Sequence, residues 1–140
     1  MIVDGEGMIL GRLSSKVAEI LLKGENVVIV SAEEVVISGS KEDIMRKYTA
    51  SRGRKDLSDP KKGPLFPRTP DGILKRTIRG MVNYRTERGR RAMKNLRIYV
   101  GVPEEYSKSK LVKIKEADSQ KLQGKVTTVG EVSKGLGYRW

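Results

Sequence analysis

Apolar residues change their spacing several times along the chain, and each change marks an element. "MIVD" opens with a short apolar run that predicts a strand, and the glycine-punctuated "GEGMILG" follows it. In "LGRLSSKVAEILLKG" the residues Leu10, Leu13, Val17, Ile20 and Leu21 recur at helical spacing, and Gly24 stands where a helix ends. "NVVIV" then sets four β-branched residues in a row, the pattern of a strand covered on both faces in a parallel sheet. Strand, helix and strand within the first 30 residues predict one βαβ unit, with helix 10–23 crossing over right-handed on one face of the sheet.

A further strand is expected at Val35–Ile37, and Ser40 with Asp43 forms an N-terminal capping pair for a helix through "KEDIMRKYTA". Residues 52–68, "RGRKDLSDPKKGPLFPR", have no apolar period and hold three of the five prolines, which predicts a long, basic, irregular loop. Thr69 and Pro70 then read as N-cap and first position of a helix over 71–82. Its Ile73, Leu74, Thr77, Ile78, Met81 and Val82 share one side, and Lys75, Arg76 and Arg79 the other. A shorter helix from Thr86 to Asn95 sets Ala92, Met93 and Leu96 against Arg90, Arg91 and Lys94, with Gly89 weakening its first turn. "LRIYVG" follows as a strand. Beyond Pro103 the chain is polar and lysine-rich, with "LVKI" as its one apolar anchor, until "TVGEVSKGLG". There Thr128 and Glu131 have capping-box spacing, and Val129, Val132 and Leu136 share a helical face.

A length of 140 residues with 37% hydrophobic content is enough for one domain with its own core. Cysteine and histidine are both absent, which excludes thiolate nucleophiles, imidazole bases, disulfides and the common zinc and copper ligands. The N-terminus lacks the basic region of a secretory signal, and no apolar run approaches the roughly 18 residues of a membrane span. A soluble, cytoplasmic protein is expected. The net charge of +12 is unevenly spread: −2 over residues 1–51, +11 over residues 52–100 and +3 over residues 101–140. Solubility alone is served by charge anywhere, so an excess confined to the middle third points to a polyanion-binding surface.

Competing chemistries find weaker support. "GEGMILG" lies between strand and helix, as a dinucleotide fingerprint does, and Glu33 or Glu34 imitates the ribose-binding acid. Its glycines at 5, 7 and 11 are misspaced, however, and Glu6 would set a carboxylate beside the pyrophosphate. Ser14 and Ser15 have no histidine to activate them, and Lys16 points about 100° away from Ser15 on a helix. Asp56, Asp59 and Asp71 suggest magnesium, but they sit among turn signals that favour aspartate for structural reasons. No catalysis, metal or cofactor is expected.

The type of cation is informative. Residues 76–101 hold seven arginines and one lysine, whereas residues 108–125 hold six lysines and no arginine. Arginine grips phosphate with a planar fork and stacks on bases, while lysine acts as a mobile point charge. With one phenylalanine and one tryptophan in the chain, the stacking platforms of single-strand binders are largely missing. Structured RNA, recognised through phosphates, 2′-hydroxyls and shape, fits better.

These segments resemble a known family. "GMILGRLSSKVAEILLKGENVVIVSAEEVVISG" together with "RTPDGILKRTIRGMVNYRTERGRRAMKNLRIYVG" is similar to the L13 family of large-subunit ribosomal proteins in its archaeal and eukaryotic form. The likeness covers about residues 3–102, and its most specific parts are "LGRLSSKVA", "VISG", "RGM" and "GRRAMKNLRIYVG". Bacterial members continue with a His-Pro-His segment, in whose place "GVPEEYSKSKL" stands here. The resemblance implies an α/β fold, a three-layer α/β/α sandwich around a short, mostly parallel four-stranded sheet. It also implies binding to large-subunit ribosomal RNA beside neighbouring ribosomal proteins, and a part in subunit assembly. Carried onto this chain, the arginine of "LGR" is Arg12, that of "RGM" is Arg79, and "GRRA" supplies Arg90 and Arg91. At a helix start Arg12 opposes the helix dipole unless an anion lies nearby.

The expected organisation is a single ribosomal RNA-binding domain over residues 1–140, with a basic loop at 52–68 and a lysine-rich extension at 103–140. The RNA contacts are expected from Arg12, Arg52, Arg54, Lys55, Lys61, Lys62, Arg68, Lys75, Arg76, Arg79, Arg85, Arg88, Arg90, Arg91 and Lys94. A small dinucleotide-dependent enzyme and an RNA-binding regulator acting outside the ribosome are the alternatives.

Overall fold

Three short strands, β1 (Ile2–Asp4), β2 (Val27–Val30) and β4 (Leu96–Ile98), pair in parallel in the order β1-β2-β4. Val3 lies opposite Ile29, and Ile29 opposite Ile98, so one sheet face presents Val3, Val27, Ile29, Leu96 and Ile98. This is a computed structural model, and it describes residues 1–140. Between β1 and β2 runs α1 (Leu10–Leu22), which buries Leu10, Leu13, Val17, Ala18 and Leu21, and Gly24 follows its cap at φ 93°. The βαβ unit read from the sequence is thus present with nearly the expected bounds.

The strand after it, β3 (Val36–Ser38), leaves this sheet. It pairs antiparallel with β5 (Val126–Thr128), Val36 lying opposite Thr128. The parallel sheet therefore has three strands where four were expected, and a single parallel bridge from Val112 to Val3 occupies the fourth place, on the outer side of β1. The α/β class stands, with a two-stranded antiparallel pair beside the parallel sheet.

Helix α2 (Lys41–Gly53) begins at Ser40, whose hydroxyl accepts the Asp43 backbone N–H, and it runs three residues further than its pattern suggested. Arg52 therefore stands in the last turn of α2, and the irregular segment starts at Arg54. Thr69 caps α3 (Pro70–Met81), Thr86 caps α4 (Glu87–Lys94), and both hydroxyls accept the backbone N–H three residues on. α3 buries Ile73, Leu74 and Ile78 with Val82 just beyond its end, and α4 buries Ala92 and Met93. Each large aliphatic chain so buried contributes about 1.5–3 kcal/mol. That burial fixes the opposite, basic faces of the two helices.

After the short helix α5 (Glu104–Ser107), the polar extension runs along the outer side of β1. The N–H of Asp4 donates to the Val112 carbonyl, that of Val112 to Ile2, that of Ile9 to Ala117, and that of Ser119 to Gly7. The last helix, α6 (Val129–Gly135), opens with the complete capping box of Thr128 and Glu131. Ala117, Val129, Val132 and Leu136 belong to the same contiguous core as Val3, Leu13 and Ile78. No helix is long and apolar enough to cross a membrane.

Candidate nucleic-acid interface

The exposed side of α3 carries Lys75, Arg76 and Arg79, and that of α4 carries Arg88, Arg90, Arg91 and Lys94, all exposed. Arg85 stands on the turn between the two helices, and Arg68 immediately before α3. Little in the chain neutralises these cations. Among the expected contact residues, only Lys62 and Arg91 form ion pairs, Lys62 with Asp59 at 3.5 Å and Arg91 with Glu87 one helical turn away. Arg88 donates to the Leu22 carbonyl oxygen at 2.9 Å, where a cation complements the C-terminal end of α1. Arg52 reaches the Leu136 carbonyl oxygen at 3.4 Å and is half-buried. Arg12, Arg54, Lys55, Lys61, Arg68, Lys75, Arg85, Arg90 and Lys94 are exposed and take part in none of the ion pairs.

The irregular segment divides the basic surface into two adjoining hollows. Gly63, Pro64 and Leu65 form a ridge between them. On one side Arg76, Arg79 and Arg85 line a hollow of about 600 Å³, and on the other Arg52, Arg54 and Lys55 line one of about 440 Å³. Two guanidinium groups stand over rings: Arg76 over Phe66 and Arg79 over Tyr84, each 4.2 Å from the ring centroid. Arg76 also donates to the Leu65 carbonyl oxygen at 2.6 Å, tying ridge to helix. Such cation–ring contacts contribute about 0.5–1 kcal/mol at exposed sites. Aromatic residues are few in this chain, and two of them serve as supports for arginines.

Arg12 stands apart. It lines a separate hollow with Gly11, Ser15, Lys16 and Glu116, and the first turn of α1 contains no acid. Glu116 pairs with Lys16 at 2.8 Å, and this hydrogen-bonded contact raises the Lys16 pKa above the usual lysine value. Lys47 and Tyr48 of α2 were not anticipated. They border a further hollow of about 300 Å³, together with Phe66, Arg76 and Gly80, and burial raises the Tyr48 pKa. The i, i+4 pair of Ile44 and Tyr48 was the available signal for the inward face of α2. Arg97, exposed on β4, was likewise absent from the expected set.

The competing sites are occupied by the fold itself. Around the glycine turn, the N–H groups of Gly5, Gly7, Met8 and Ile9 donate to the carbonyls of Val30, Glu34, Gly5 and Ala117. None of them is left to hold a pyrophosphate. A Cβ at Gly5 would lie 2.9 Å from two carbonyl oxygens, which explains that glycine without a ligand. Ser14 is fully buried. Asp56 accepts from the Ser58 hydroxyl and from the N–H groups of Ser58 and Asp59, and the hydroxyl contact leads in lowering its pKa. Asp59 accepts from the N–H of Lys61.

The family described as "Ribosomal protein L13" matches residues 1–105. Proteins named "Large ribosomal subunit protein uL13" are similar along nearly the whole chain. The one from Methanococcoides burtonii is 45% identical over 140 residues, covering 99% of both chains. That from Methanocaldococcus jannaschii is 45% identical over 141 residues, covering 99% of this chain and 98% of its own. That from Saccharolobus solfataricus is 43% identical over 139 residues, covering 99% of this chain and 93% of its own. The likeness to these archaeal relatives extends through the lysine-rich extension, beyond the reach of the family match.

Proposed function

The chain belongs to the ribosomal protein L13 family, and from that premise we propose that it is a structural constituent of the large ribosomal subunit. It binds large-subunit ribosomal RNA through the basic surface of α3, α4 and the segment before them, and contributes to subunit assembly. One observation carries the reading: the arginines of α3 and α4 stand exposed, all but Arg91 without an acidic partner, on helices whose other faces are locked into the core. A cationic surface held in this way loses little conformational entropy on meeting a rigid polyanion. It therefore suits structured RNA better than a flexible tail does. The whole of residues 1–140 acts as one RNA-binding unit with a structural role rather than a catalytic one, in the cytoplasm, beside neighbouring ribosomal proteins.

Binding of the purified protein to large-subunit ribosomal RNA and to an unrelated structured RNA, each over a salt series, tests the reading. Every phosphate neutralised adds about 0.7–0.9 to the slope of log K against log salt. The ribosomal RNA is expected to stay bound at salt concentrations that release the control. Equal, steeply salt-sensitive binding to both would remove the specific ribosomal site and leave a general polyanion surface, which an RNA-binding regulator would share.

A further inference from the structure

Helix α3 contains a glycine that the fold does not require. At Gly72 an added Cβ would lie 2.7 Å from the Pro67 ring, and at Gly89 it would lie 2.2 Å from the Asn83 carbonyl oxygen. At Gly80 it would meet nothing within 4 Å. Nor does the backbone conformation ask for glycine there. Gly80 is helical, and the left-handed residue that follows the end of α3 is Asn83, at φ 51°. At the end of α3 the left-handed position is held by an asparagine, and the ordinary helical one before it by a glycine. An exposed helical glycine costs about 0.5–1 kcal/mol relative to alanine. Nothing inside the molecule offsets that cost.

The surroundings of Gly80 indicate what does. Gly80 and Arg76 border both the 600 Å³ hollow beside the ridge and the 300 Å³ hollow against α2, so the bare backbone of Gly80 lies where the two hollows adjoin. Arg76 and Arg79 are steadied on Phe66 and Tyr84. Arg85 lines the larger hollow with them, and none of the three arginines has an acidic partner. A helix offers its backbone directly to a partner only where no Cβ intervenes, and the charge around this opening suits a polyanion.

We propose that a sugar-phosphate strand of the ribosomal RNA crosses α3 directly on Gly80, in van der Waals contact with the helix backbone, while Arg76 and Arg79 grip its phosphates. The inference rests on the RNA-binding reading above. It adds a steric requirement to an interface otherwise explained by charge.

The test uses the full chain with Gly80→Ala and Gly80→Leu, and with a triple charge reversal of Arg79, Arg90 and Arg91 to glutamate as the reference for a lost interface. Thermal unfolding and binding to a large-subunit ribosomal RNA transcript are measured over a salt series. Gly80→Ala is expected to unfold at the same or a higher temperature, because alanine favours the helix, yet to bind about tenfold more weakly. Gly80→Leu is expected to bind about 100-fold or more weakly, with the salt slope unchanged because no charge has moved. If Gly80→Leu binds within about twofold of wild type while the triple reversal does not bind, the RNA interface stands and the strand does not cross Gly80. That outcome includes the case in which Gly80 faces a neighbouring protein. A wild-type chain with no preference for the ribosomal RNA over a control RNA overturns both readings.

Discussion

The arginines of α3 and α4 and the lysines of residues 108–125 make two cation-dense stretches in one chain, and they relate to the fold in opposite ways. In α3 and α4 the backbone is satisfied within each helix and the apolar face enters the core, so the charged side chains face outward with few acids nearby. In residues 112–119 the backbone makes the long-range bonds: Val112 pairs with both Ile2 and Asp4, Ala117 accepts from Ile9, and Ser119 donates to Gly7. One lysine of that stretch, Lys113, is held between Asp4 at 3.6 Å and Glu6 at 2.9 Å, and the hydrogen bond to Glu6 leads in raising its pKa. A similar density of cations along the sequence thus hides a division of labour. The arginine region presents side chains on a satisfied backbone, and the lysine region fastens the two ends of the chain by its backbone.

The strongest way to break this comparison is the triple reversal Arg79→Glu, Arg90→Glu and Arg91→Glu. It is expected to reduce affinity for large-subunit ribosomal RNA by about 1,000-fold or more at moderate salt, with the circular dichroism spectrum and melting temperature nearly unchanged. Unaltered binding would move the interface to another surface. Next in size is Val132→Ala on α6, where a fully buried side chain anchors the extension to the core. A loss of about 2 kcal/mol in unfolding free energy is expected in denaturant titrations, with RNA affinity of the folded protein retained. An affinity loss larger than the stability loss would mean that the extension itself meets RNA. The smallest effect is expected when Lys108, Lys110, Lys115, Lys121 and Lys125 are all changed to glutamine. Affinity should fall less than about threefold, and the salt slope by less than about one. A drop in slope near four would place those lysines on phosphates and erase the distinction between the regions.

Legibility in the sequence followed the range of the interaction. The βαβ unit, the caps at Ser40, Thr69 and Thr128, and the two faces of α3 all depend on residues a few positions apart, and each was readable except at Met81, which was assigned to the apolar face and is exposed. The pairing of β3 with β5 joins three-residue strands about 90 positions apart, and nothing within either strand names its partner. For the same reason the strand expected at Val35–Ile37 counted toward a four-stranded sheet, whereas it pairs with β5 and only the single bridge of Val112 stands in the fourth place. In the site, charge and exposure were legible because they are properties of single residues. The ridge of Gly63–Leu65, which brings Arg52 and Arg54 next to Arg76 and Arg79, depends on the path of a segment with no periodicity. Phe66 was counted only as a scarce aromatic and Tyr84 was given no role, because the use of both rings under Arg76 and Arg79 depends on three-dimensional placement.

The bonds between the two ends of the chain also set an order in time. During synthesis β1 and its glycine turn emerge first, yet their outer hydrogen-bond partners, Val112, Ala117 and Ser119, are made more than 100 residues later. At about 5–20 residues per second, that side of the sheet waits roughly 5–20 s for its cover. Helix α6, which completes the core with Val129, Val132 and Leu136, comes later still. The arginine helices are thus complete in the growing chain before the outer side of β1 can be covered, and α6 can join the core only after that.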